Sequence, residues 1–529
     1  MIRPHRLLAG AVLGGLAAWT VSHAAPPQSA PAESAPVADA AGPLELLLDP
    51  AGSPTRLELT VRLDGKPVRA VWDGLLARYF SELDRNGDGQ LDAPEAARIP
   101  TPFALRQILW GQFTPFAASP PPIESLDRDK NQRIDLAEFR QFYRESGLGD
   151  VVIGVGKPPF TAELTQSLIR NLDRNGDGIV QATELDLAHE LVAKLDRNED
   201  ELVGPGELVD HAAYPGAQGA LLLLPPRAEE PVVPLLQQLP LIRLPVERAN
   251  RQWIDTVAAR RESQASESSQ TSDWQQLREK RPLARWEVNF PRFDGTKSAP
   301  AMPMNQLSVR SGPLWVTIRA ESGKLAAQTD ALIARYRTLF QELDLDNNGS
   351  LNDQELSVPK AALVQPLLDQ VDRNQNRLLD RAELDHWLAL QRELSTGGVL
   401  LTLLDYGNGL FELLDANRDG SLSHRELREA RTRVRDAGAL VDGKLDAARL
   451  PHHLRGTLSQ GHPESPLESA PAVGPTWFRA MDRNRDGEVS RREFTGPRSA
   501  FDRLDANRDG VIVLMEAEAP AAAKSPSAP

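Results

Sequence analysis

Leu57, Leu59, Val61 and Leu63 alternate with polar residues, the period of a strand with one buried face. Asp64-Gly65 then reads as a tight turn, and Val68 to Trp72 as a second strand. From Asp73 to Leu83 the apolar spacing becomes helical and leads into an acidic segment. The same order recurs later. Leu314, Val316 and Ile318 alternate, and Gly323-Lys324 mirrors Gly65-Lys66. Asp330-Ala-Leu-Ile-Ala-Arg-Tyr336 matches Asp73-Gly-Leu-Leu-Ala-Arg-Tyr79, and both run into Phe-x-Glu-Leu-Asp, ending at Asp84 and Asp344. This self-similarity predicts an internal duplication. Gly-flanked apolar stretches, Val151 to Val155 and Val399 to Leu404, precede the third acidic segment of each half.

The acidic segments share a twelve-residue pattern. Asp or Asn stands at positions 1, 3 and 5 and Glu at position 12, while the residue at position 7 offers its backbone carbonyl. Such a set supplies the oxygens that a hard cation, Ca2+ above all, requires. Six segments also have glycine at position 6, where the chain must turn sharply. Their candidate ligands are Asp84, Asn86, Asp88, Gln90 and Glu95; Asp173, Asn175, Asp177, Ile179 and Glu184; and Asp344, Asp346, Asn348, Ser350 and Glu355. The other three are Asp415, Asn417, Asp419, Ser421 and Glu426; Asp482, Asn484, Asp486, Glu488 and Glu493; and Asp505, Asn507, Asp509, Val511 and Glu516. Three further segments keep the ligands but carry Gln132, Glu201 or Arg377 at the turn. They are Asp127, Asp129, Asn131, Arg133 and Glu138; Asp196, Asn198, Asp200, Leu202 and Glu207; and Asp372, Asn374, Asn376, Leu378 and Glu383. A left-handed residue bearing a Cβ costs about 1 kcal/mol, which predicts weaker binding in these three. A tenth segment, Gly438 to Arg449, has lost positions 1, 3 and 12 and is expected to hold no cation, serving as the partner of the Asp415 loop.

These loops resemble those of the EF-hand calcium-binding superfamily, in the form of a bacterial-type exported multi-hand protein. The resemblance covers about half the chain. It implies a mainly α fold with minor β, made of tandem compressed EF-hand pairs (helix-loop-helix) with small β-elements before each half. Loop starts lie 43, 23, 28, 23 and 23 residues apart within five sequential pairs. In the Asp173/Asp196 pair, Leu185 to Leu195 reads as one helix, whereas Gly496-Pro497 splits the corresponding stretch of the last pair. That compression argues against an open-and-close mechanism.

Composition changes the picture at the ends and in the middle. Arg3 and Arg6 followed by the apolar run Leu7 to Trp19 read as a secretory signal cut after Ala24, with an uncleaved anchor as the alternative. The expected order is signal 1–24, linker 25–43, a β-hairpin with pair 1 at 44–150, and pair 2 at 151–216. A Pro/Leu-rich connecting region follows at 217–313, with Trp286 to Phe290 as a candidate strand. A β-element with pair 3 spans 314–395 and pair 4 spans 396–450. A Pro/Ser/His-rich linker at 451–475, pair 5 at 476–517 and a tail at 518–529 complete the chain. There is no cysteine, so disulfides are excluded. The net charge of −14 disfavours nucleic acid and anionic membranes as partners. It becomes −16 once Arg3 and Arg6 are removed, and nine Ca2+ would bring it to about +2.

The expectation is therefore an exported calcium-binding scaffold of the periplasm or cell surface, without enzymatic activity. Its partners would be calcium ions and another envelope or extracellular protein, with no transmembrane span after cleavage. A calcium buffer or sensor is the near alternative; only five methionines argue against a sensor groove. An enzyme with its site in 217–313, where Trp253, Trp274 and Trp286 lie, is the distant one. His452, His453 and His462 suggest a transition-metal site, and Arg425 to Arg435 an anion site; loop residues and a solvated helix face are the plainer readings.

Overall fold

The computed structural model describes residues 43–48, 55–109, 111, 120–148, 151–158, 160–210, 212, 220–223, 241–244, 282–291, 305–461 and 474–519. Residues 1–24, read from the sequence as a signal, most of the 25–43 and 217–313 stretches, His462 and the last ten residues lie outside them. All described residues belong to one compact unit.

Two sheets form its centre. The first contains β1 (Leu44–Leu48), β2 (Thr55–Leu63), β5 (Leu241–Leu244) and β6 (Ala284–Phe290). β1 runs antiparallel to β2 and β5, and β6 runs parallel to β2. The second contains β3 (Val152–Lys157), β4 (Ala220–Leu223), β7 (Asn305–Ser311), β8 (Leu314–Glu321), β9 (Leu400–Gly407) and β10 (His452–Ser459), in the order β4-β3-β9-β10-β8-β7. The alternating leucines and valine of β2 face Val316, Ile318, Leu403 and Leu454 in one buried cluster. The β content is thus larger than small elements preceding each half. Strands from both halves build the second sheet, where β3 runs parallel to β9 and β9 antiparallel to β10.

Two expectations for local structure are corrected. Val68 to Trp72 is not a strand: α1 (Val68–Leu83) begins there, directly after Pro67. Val68, Trp72, Leu75 and Leu76 are buried, and that i, i+4, i+7, i+8 spacing is a helical stripe which a five-residue window does not separate from a strand. The linker at 451–475 is not wholly a linker, because its first part is β10, an interior strand. β10 is buried on both faces, so its sequence shows no alternation. A Cβ at Gly456 would stand 3.1 Å from Ile318 Cγ1 and 3.2 Å from Leu403 Cδ1, so a bare backbone lets the neighbouring side chains close over it.

The helices fall into three cores, two of which cut across the expected domain boundaries while the third stays within the expected pair 5. α1, α2 (Leu136–Glu145), α4 (Leu325–Leu343) and α5 (Arg381–Ser395) share one core, joining the Asp84 and Asp127 loops of the first half to the Asp344 and Asp372 loops of the second. α3 (Thr161–Leu172) and α6 (Leu410–Leu414) share another. The C-terminal module, residues 474–519, has its own small core of Phe478, Val489, Phe494, Phe501 and Ile512. The halves match in detail: Asp73 pairs with Arg144, and Asp330 with Arg392, each arginine near the end of the helix that leaves the second loop. Leu185 to Leu195 is not one helix, since a turn at 186–187 interrupts it.

Candidate metal-binding loops

Each intact loop begins where a helix ends. At Asp84 the backbone N–H still bonds Phe80 O, while the side chain has left the helix and accepts the N–H groups of Gly87 at 2.7 Å and Gly89 at 2.9 Å. Asn86 Oδ1 accepts from Asp88, and Asp88 Oδ1 accepts from Gln90. The loop closes through Glu95. Its Oε1 accepts the position-2 N–H at 2.8 Å and its Oε2 the position-9 N–H at 3.0 Å. This closure is common to all nine: the position-2 bond to the glutamate measures 2.7–2.9 Å. The position-9 bond measures 2.9–3.2 Å. The same glutamate caps the following helical turn, so one side chain sets loop closure and helix start together.

The backbone takes the left-handed conformation at position 6 in every intact loop, including Gln132, Glu201 and Arg377 at φ 64°, 69° and 63°. Position 4 is left-handed as well, which the spacing of ligands does not disclose. Only the Asp84 and Asp173 loops have glycine at both positions. The Asp127, Asp196 and Asp372 loops have glycine at neither, so these three carry two strained residues each.

The loops join in pairs through position 8, and the pairing differs from the sequential order. Leu91 bridges Ile134, Leu351 pairs Leu379, and Val489 pairs Ile512, all between neighbours along the chain. The middle loops exchange. Leu422 of the Asp415 loop pairs Val203 of the Asp196 loop. Leu445 of the degenerate loop donates to Val180 O of the Asp173 loop at 2.8 Å. The degenerate loop is therefore the partner of the Asp173 loop, not of the Asp415 loop, and pairs 2 and 4 are each made of one loop from either half.

Surroundings differ among loops. Asp127, Asp129 and Glu138 bring carboxylate oxygens within 4.8 Å of one another, as do Asp344, Asp346 and Glu355. Arg133 Nη1 lies 2.6 Å from Asp88 Oδ2 across the first pair, and Asp88 stays below the usual carboxylate range, mainly through the N–H of Gln90 and then through Arg133. The Asp415 loop is the buried extreme. Asp415 is 1% exposed, its carboxylate oxygens lack a well-formed hydrogen bond, and its charge is offset by Arg455 Nη1 at 3.7 Å and by the nearby Arg418 N–H. Burial pushes its pKa well up, and those of Asp419 and Glu426 upward too. Asp486 is pushed up to about 8, by burial first and then by Glu488. Buried carboxylate oxygens inside an oxygen cage fit a divalent cation, which would neutralise them and supply the missing bonds.

The EF hand family model matches residues 76–95, 337–358, 409–429 and 476–495, and the EF-hand domain pair model matches 127–185. The matched segments are EF-hand units, and they support placement with the EF-hand calcium-binding superfamily. These helix-loop-helix units accordingly indicate calcium binding. The pair model spans the Asp127 and Asp173 loops, which are consecutive in sequence yet bridge to different partners in space. Searches of curated proteins and of solved structures returned no match. Among the described residues no helix is long and apolar enough to cross a membrane.

The remaining candidate sites are accounted for differently. His452 and His453 are adjacent on β10 and so point to opposite faces. His452 Nε2 lies 2.7 Å from Asp405 Oδ1, and His453 packs against Trp315. Burial holds His453 well below its ordinary pKa. The arginine run is laced into ion pairs: Arg425 with Glu429 and Glu488, Arg431 with Asp186, Arg433 with Glu429.

Proposed function

We propose that this chain is an exported calcium-binding scaffold of the cell envelope, in which Ca2+ fills about nine loops and holds the duplicated halves together. The observation that carries this reading is the buried Asp415 loop. Its buried carboxylate sits in the pair formed by one loop from each half, where an ion would fix the loop whose Leu422–Val203 bridge joins the halves. Occupied loops would stabilise the native state by mass action. The leader-like N-terminus supports export.

A scaffold is favoured over a sensor because the hands pair within shared cores and few methionines are present to line a groove. We read the chain as non-catalytic, with another envelope or extracellular protein as its partner. The test is a melting curve recorded alongside binding of an apolar dye. A scaffold shows a large calcium-induced rise in Tm with no gain in dye fluorescence; a calcium-induced rise in dye binding would point to a sensor instead.

A further inference from the structure

The C-terminal module touches the rest of the molecule through its loops. Asn484 Nδ2 donates to Asp200 O at 3.1 Å, and Asn417 Nδ2 to Asp486 O at 3.4 Å. Each is a position-3 asparagine reaching a position-5 carbonyl of a loop on the other side. Position 11 repeats the reciprocity: Arg425 Nη1 lies 3.2 Å from Glu488 Oε1, and Arg492 Nε 3.6 Å from Glu201 Oε1. Arg428 lies beside Gly510. The Asp196, Asp415 and Asp482 loops thus meet at one contact, although Asp482 belongs to a module with its own core.

This contact is acidic on both sides. The body's loop brings Asp415, Asp419 and Glu426 and the module's loop Asp486, Glu488 and Glu493, with Glu426 and Glu488 acting on each other across the contact, and four of these six are less than a tenth exposed. Arg425, Arg428, Arg455 and Arg492 are four against these six, and Arg492 is already paired with Glu201. Without an ion, carboxyl groups gathered away from water are costly whether they stay charged and repel one another or take up protons, and Arg455 at 3.7 Å is the nearest counter-charge to Asp415. One Ca2+ in each facing loop reverses the balance and leaves the arginines and amides to set the orientation.

We infer that the C-terminal hand pair is a calcium-dependent docking module: filled Asp415 and Asp482 loops seat it on the exchanged Asp196/Asp415 pair, and emptying them releases it. This rests on the calcium reading above and goes beyond it, because loops can fill without any module moving.

The test uses the full chain, which has no native cysteine, with spin labels at Glu190→Cys on the body and Ser499→Cys on the module. The distance distribution should be narrow in calcium and broad in chelator. Arg425→Glu with Arg492→Glu should broaden it in calcium while calorimetry shows undiminished calcium stoichiometry. Adding Glu201→Arg and Glu488→Arg to that double variant should narrow it again. A distribution that stays narrow in chelator, or in the double variant, overturns the docking claim while leaving calcium binding intact. Absence of calcium uptake by calorimetry would instead remove the reading on which it rests.

Discussion

The Asp482/Asp505 and Asp173/Asp196 pairs both leave eleven residues between loops, yet they pair oppositely. In the C-terminal module Val489 meets Ile512, its neighbour along the chain. In the other, Val180 and Val203 turn away from each other and find Leu445 and Leu422 of the second half. Spacing alone therefore does not decide partnership. What differs is the frame. β3 and β9 run parallel and adjacent, and they lead into α3 and α6, where the Leu410 N–H donates to Thr165 Oγ1 at 3.0 Å. The third loops of both halves are drawn together, and each takes the other half's fourth loop. The C-terminal module has no such duplicate and closes on itself, with Gly496-Pro497 breaking the chain between its loops.

The largest expected effect comes from separating the halves. Residues 41–300 and 301–529 expressed apart should each lack a cooperative melting transition, because two helical cores and one sheet are built from both. Co-expression should restore the transition. Independent folding of either half would show that the exchange is not needed.

Next in size is the bridging glutamate. Glu426 is buried and closes the exchanged Asp415 loop, whereas Glu383 closes a loop at the surface. Hydrogen bonds to charged groups contribute about 1.5–3 kcal/mol, more when the site is dry. Glu426→Gln should therefore lower Tm in calcium clearly more than Glu383→Gln; equal losses would contradict the ranking.

The third effect is pH dependence in chelator. Burial raises Asp486 to about 8 and Glu488 to about 7 in the ion-free chain. Both values lie above those of the unfolded chain, so the folded form binds more protons between about pH 4 and pH 8. The slope of unfolding free energy with pH is then negative for the seated form, so in chelator the seating of the module and the stability it contributes should fall across that window until the module leaves. Calcium entering the Asp482 loop displaces the Asp486 proton, so calorimetry at pH 7 in buffers of different ionisation enthalpy should record proton release. Stability rising from pH 5 to pH 8 in chelator would contradict this account.

The smallest effect sharpens the comparison among loops. Gln132→Gly, Glu201→Gly and Arg377→Gly each relieve a strained left-handed residue, a gain of about 1 kcal/mol and roughly fivefold in affinity at that loop. Site-resolved titration by NMR would show whether these loops fill after the Asp84 and Asp173 loops, as their backbone angles require.

The loops themselves were legible because their chemistry is local. Ligand spacing, the turn glycine and the aliphatic position 8 all lie within twelve residues. The strand at Leu57 to Leu63 was legible for the same reason, since one buried face imposes alternation. β10 was not, because His452-His453 and Gly456 in a strand buried on both faces look like loop composition. The left-handed position 4 was hidden behind residues such as Lys130 and Arg418 that carry no turn signal. The exchange was out of reach of pattern, since Val180 and Leu445 are far apart in sequence and either half offers an equivalent partner.

The most direct measurement is calorimetric titration of the chelator-treated chain with calcium, with a melting curve taken at each stage. The account predicts uptake approaching nine ions per chain, with Tm rising as the loops fill. No heat of binding up to millimolar calcium, with identical melting curves in calcium and chelator, would contradict it.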